Sequence, residues 1–80
     1  MIYQNTFLYK DLKNDKTYTG EIVGIKCVKG YFNQYLLKLN VTETNYIIWY
    51  DDWMTETQIK QEENIIGYCI DKEALLEDTN

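Results

Sequence analysis

Apolar and polar side chains alternate most regularly between Gln34 and Thr42. Tyr35, Leu37, Leu39 and Val41 take one parity, Gln34, Lys38, Asn40 and Thr42 the other, and Leu36 alone falls out of phase. A period of two sends alternate side chains to opposite faces, so the segment predicts a half-buried strand. Thr17–Val28 has the same character, but its phase slips: Tyr18 and Ile22 share one parity, Val23, Ile25 and Cys27 the other. Gly20 and Gly24 flank the slip, and glycine inside a strand often marks a bulge or bend that lets one strand serve both sides of a closing barrel. Lys29-Gly30 and Glu43-Thr44-Asn45 predict turns. Tyr46–Tyr50 is apolar on both parities, which fits a strand covered on both faces or one whose outer face is an exposed aromatic strip. Its expected end is Asp51-Asp52.

Thr55 followed by Gln58 forms a capping box, with Met54 and Ile59 at the positions of a hydrophobic staple and Glu56 in the first turn, where the helix dipole favours a carboxylate. These signals predict one short helix over residues 56–63. Ile65–Ile70 predicts a further strand, and Asp71–Asn80 an acidic tail with one helical turn around Ala74-Leu75-Leu76. The opening residues fit two patterns, a helical face of Tyr3, Phe7, Leu8 and Leu12 or a strand carrying Phe7 and Tyr9; a strand over residues 1–9 is favoured, since Tyr, Thr and Phe suit a pleated, half-buried surface. Lys13–Lys16 is polar enough for a turn.

The order of elements predicts a mainly β (α+β) fold: a small five-stranded antiparallel barrel, OB-like or SH3/Sm-like, with the short helix near 56–63. Residues 1–80 make a single barrel-like domain, and 71–80 a partly frayed acidic tail. The similarity to OB and SH3 or Sm barrels is one of element order and carries no function with it. A chain of 80 residues, 15% aromatic, suits one small core dense in large rings.

Composition removes whole classes of chemistry. The chain contains no histidine, serine, arginine or proline. Without histidine and serine there is no Ser-His or Cys-His nucleophile, and without arginine no bidentate fork for phosphate or guanine. The expectation is a protein that is not an enzyme, with no cofactor and no metal: Asp51-Asp52, Glu56 and Glu62-Glu63 could attract a hard cation but lack a glycine-punctuated binding loop. Cys27 and Cys69 lie in apolar stretches and read as buried free thiols. No apolar run is long enough to span a membrane, and no secretory pattern opens the sequence, so a cytoplasmic setting is expected.

Charge is unevenly placed within the net −5. Residues 1–40 hold six lysines and three carboxylates, residues 41–80 two lysines and ten carboxylates. An acidic second half, with Asp71, Glu73, Glu77 and Asp78 extending it, suggests a carboxylate array approximating nucleic-acid charge density. Such an array would dock on a basic protein surface, the groove of a nucleic-acid-handling enzyme above all. The expected partner-binding residues are Trp49, Asp51, Asp52, Trp53, Glu56, Glu62 and Glu63, with the tryptophans as anchors. In size, charge and lack of catalytic groups the chain resembles small acidic inhibitors of phages and mobile elements, anti-CRISPR proteins among them. That resemblance covers no motif. The alternative is an OB-type single-stranded nucleic-acid binder using Lys26, Lys29, Tyr31, Phe32, Tyr35 and Lys38, where lysines neutralise phosphates and rings stack bases. An acidic chain without arginine makes direct nucleic-acid binding the weaker expectation. A third reading is a small structural or assembly subunit, a homodimer joined through Tyr46–Tyr50.

Overall fold

A computed structural model describes residues 3–43 and 46–77. Thr44 and Asn45 of the expected turn, Asp78 of the acidic array, the first two residues of the opening strand and the last two of the tail lie outside these described residues. The strands are β1 (Thr6–Asp11), β2 (Lys16–Lys26), β3 (Gln34–Thr42), β4 (Ile47–Thr55) and β5 (Ile65–Cys69), and helix α1 (Glu56–Gln61) joins β4 to β5. The five strands pair antiparallel throughout, in the order β4-β3-β2-β1-β5. Among the described residues the fold is mainly β with one short helix. The sheet does not close into a barrel: β4 and β5 form its two edges.

The sheet nevertheless wraps one core. Phe7, Ile22, Ile25, Tyr35, Leu37, Leu39, Met54 and Ile59 are buried together. The phase slip read in β2 is a real irregularity, because its register against β3 shifts between Ile22 and Gly24. Beyond that shift Ile25 rather than Val23 returns to the core, so the strand bends while still burying apolar side chains. The curl brings Tyr50 on β4 over to β1, where its ring centroid lies 5.8 Å from both Phe7 and Tyr9. Gly20 lies against the Phe7 ring so closely that an added Cβ would sit 2.2 Å from a ring carbon.

Two element ends and the placement of the cysteines also differ from what was expected. β4 runs on through Asp51 and Asp52 to Thr55, so Trp53 belongs to a strand, opposite Leu36, and not to a connector. Carboxylates on an edge strand keep their water, so they do not stop it. Helix α1 has the expected capping box, with the Thr55 side chain accepting from the Gln58 N–H, but it ends at Gln61; Glu62 is already extended. Both cysteines are free and exposed instead of buried: Cys27 lies past the end of β2, and Cys69 ends an edge strand.

Residues 71–77 fold back on the sheet. Asn5, in the left-handed region at φ 55, donates through its side-chain amide to the Asp71 carbonyl and accepts the Asp71 N–H. A single 3-10 turn, Lys72–Ala74, follows. The Ile25 N–H then bonds the Leu76 carbonyl at 3.0 Å, where β1 has ended and left that side of β2 open.

Gly20→Ala should cost about 1–3 kcal/mol through overpacking against Phe7, read as a lower urea midpoint. Gly24→Ala, whose new Cβ would meet its nearest neighbour at 3.5 Å, should cost clearly less. Equal losses for the two would contradict the Phe7–Gly20 contact.

Candidate functional site

β4 carries the feature most unlike a resting surface. It is an edge strand of nine residues, and its two faces differ in kind. Ile48, Tyr50 and Met54 pack into or against the core. Ile47 and Trp49, on the outer face, are 69% and 65% exposed. Of the two possibilities for Tyr46–Tyr50, the outer strip is the one observed. Next along the same face come Asp51, opposite Lys38, and Trp53, opposite Leu36. Trp53 is half-buried: its ring comes within 3.5 Å of where a Cβ on Gly24 would stand, and Lys26 Nζ lies 4.2 Å above the ring. That placement is a cation–π contact, so Lys26 is partly spent on a neighbour. A shallow groove of about 440 Å³ runs along this outer face, with Glu21, Val23, Lys38, Asn40 and Trp49 in its wall.

The expected partner-binding residues therefore separate into groups. Trp49, Asp51 and Trp53 share the outer face of β4. Asp52 has the opposite parity and opens, with Met54, Gln58 and Glu62, into a smaller groove beside α1. Glu56 turns towards β5, accepting a hydrogen bond of 3.0 Å from the Tyr68 hydroxyl. Glu63 is exposed in the turn after α1. The carboxylates border one end of β4 and its helix but form no single array. Among the described residues no three Asp, Glu, Cys or His side chains gather as a metal site.

The residues expected to bind nucleic acid are brought together less well. Tyr35 is 2% exposed, since it shares the core parity with Leu37 and Leu39, and so it offers no stacking face. Lys38 stands in register between Glu21 and Asp51, which offset its charge. Only the β2–β3 loop keeps the expected character: Tyr31 and Phe32 are 77% and 84% exposed beside Lys29.

Sequence reasoning missed a tyrosine network at the other end of β4. The Tyr18 hydroxyl lies 2.9 Å from both Glu43 Oε1 and the Tyr46 hydroxyl, tying β2 to the β3–β4 hairpin. The hydrogen bond with Tyr46, burial and Glu43 together push the Tyr18 pKa up. Tyr50 is pushed up to about 12, first by burial and then by Glu62, Asp52 and Tyr9. Tyr9 is raised by burial, Asp11 and Glu62. Glu62 thus stands where β4 approaches β1, which no periodicity could announce.

Comparison with protein-family models, with curated proteins and with solved structures finds no match. No helix among the described residues is long and apolar enough to cross a membrane.

Because Tyr50 holds its proton to about 12 in the fold against 10.0 for a free tyrosine, the unfolded chain gives that proton up first. Stability should be intact below pH 10 and fall as pH climbs between those two values. A phenolate absorbance titration should show a late component near 12 that Tyr50→Phe removes; its ionisation near 10 would contradict the burial of that ring.

Proposed function

We propose that the protein is a small acidic protein-binding module that works by stoichiometric association, with the outer face and open edge of β4 as its binding surface. The observation that carries this reading is Trp49, two-thirds exposed in an edge strand and followed on the same face by Asp51. A large amphipathic ring held by a sheet loses little conformational freedom on binding and suits the centre of an interface. The neighbouring carboxylates select a basic partner surface and speed the encounter electrostatically. Occupation of the basic groove of a nucleic-acid-handling enzyme, and hence its inhibition, is the activity such a surface would support.

The strand order favours the SH3/Sm-like architecture over the OB-like one. β5, after the helix, lies beside β1, and the strands before it form a simple meander. In an OB barrel the strand after the helix would lie beside the long bent strand, here β2.

The second reading, single-stranded nucleic-acid binding, now rests on Lys29, Tyr31 and Phe32 alone. Their exposure keeps it in view; the burial of Tyr35 and the acidic neighbours of Lys38 weigh against it.

Immobilised protein should retain a basic protein partner at low salt, and the double variant Trp49→Ala, Asp51→Asn should weaken that retention roughly tenfold or more while leaving the urea midpoint nearly unchanged. Equal retention by the variant would remove β4 from the interface. A fluorescent single-stranded oligonucleotide should not bind; saturable binding abolished by Lys29→Glu and Phe32→Ala would support the loop instead.

A further inference from the structure

The hydrogen-bond register of β4 can be followed residue by residue. In the β3–β4 hairpin the Glu43 N–H donates to the Tyr46 carbonyl at 2.8 Å. The pairing then runs without a shift from Thr42–Ile47 to Gln34–Thr55. In an antiparallel ladder, hydrogen-bonded and non-hydrogen-bonded pairs alternate. Ile48, Tyr50, Asp52 and Met54 therefore exchange bonds with β3, whereas Ile47, Trp49, Asp51 and Trp53 turn their N–H and C=O groups to the open side. Thr55 agrees with this phase: its N–H bonds not to β3 but to the Gln58 side chain, at 2.9 Å. Beyond Trp53 the edge is closed by that cap.

The same residues that aim their backbone outward carry the exposed side chains of the outer face. Ile47, Trp49 and Asp51 thus offer a row of free donors and acceptors together with an apolar wall and a carboxylate. We infer that this edge takes a strand from its partner: an extended, lysine- or arginine-bearing segment pairs with β4 as a sixth strand of the sheet, its flat or aliphatic side chains beside Ile47 and Trp49 and its cations beside Asp51 and Asp52. The inference rests on the protein-binding reading and specifies how that partner is held. Strand addition draws affinity from main-chain hydrogen bonds and selectivity from alternate side chains.

Charge decides the occupant. Pairing β4 with β4 of a second copy would bring together two chains of net charge −5, which repel one another as they approach. A basic segment meets the opposite situation. The other edge suits a guest less: β5 has five residues and a register shift against β1, and its Tyr68 is held by Glu56 of α1.

The test uses the whole protein and two synthetic peptides, each with a valine- and threonine-rich half and a lysine-rich half, one with normal amides and one N-methylated at every residue. Both carry the same charge, but the second has no backbone donors. Tryptophan fluorescence should report saturable binding of the first peptide and binding roughly tenfold or more weaker for the second. The variant Ile47→Pro should weaken the normal peptide several-fold, since its lost N–H faces away from β3 and the fold keeps its ladder. Equal binding of the two peptides, both lost in salt, would overturn strand addition while leaving an acidic protein-binding face in place. Binding of neither peptide would overturn it too, and the retention experiment on the Trp49 variant would decide the broader reading separately. A free protein sedimenting as a dimer that Ile47→Pro converts to monomer would overturn it by showing a second copy on the edge.

Discussion

The bend in β2 at Val23 is the constraint from which the rest of the architecture follows. With strands running straight, the core-facing side chains of β1 and β4 would lie far apart on one flat face, and a chain of this size could not cover them. The register shift between Ile22 and Gly24 turns the second half of the strand while Ile22 and Ile25 both stay buried. The sheet then curls far enough for Tyr50 to reach Phe7 and Tyr9, and Ile59 of α1 completes the core at the same place. Gly20 belongs to the same solution, because the Phe7 ring occupies the space a side chain would need. One bend thus exchanges a flat sheet for a wrapped core. It stops short of joining β4 to β5, so the molecule keeps two edges.

The edges are treated differently. On the β1 side of β2, where β1 ends, the chain supplies its own cover: Leu76 and Glu77 lie alongside Ile25. At β5 the strand is short and α1 is tied to it through Tyr68. β4 has neither device over most of its length. Proteins commonly protect an edge with charge, and Asp51 and Asp52 discourage self-pairing in that way. Ile47 and Trp49 do the reverse, because they leave apolar surface in water beside open backbone groups. Such an edge, acidic at one end and apolar at the other, is what the proposed basic partner would meet.

Features governed by local rules could be read from the sequence. Alternation located β3 from Gln34 to Thr42, residue for residue. The capping box of Thr55 and Gln58 located the start of α1, and the phase slip located the bend in β2. What escaped were properties set by neighbours distant in the chain. Asp51-Asp52 looked like a stop signal, yet an open edge lets both carboxylates keep their water. Tyr35 looked like part of an aromatic hairpin, yet its parity with Leu37 buries it. Cys27 and Cys69 sat in apolar runs but lie just past or at strand ends. Of the expected partner-binding residues, Trp49, Asp51 and Trp53 share the outer face of β4, which a strand ending at Asp51-Asp52 did not announce, and their separation from the carboxylates around α1 depends on which edge the helix follows.

The open edge of β4 can be read directly by amide hydrogen exchange, resolved residue by residue by nuclear magnetic resonance on the free protein. Exchange should alternate: slow at Ile48, Tyr50 and Asp52, whose N–H groups bond to β3, and fast at Ile47, Trp49 and Asp51, whose N–H groups face water. Uniform protection along the strand would contradict it, because the edge would then already be covered and β4 could not be the surface offered to a partner.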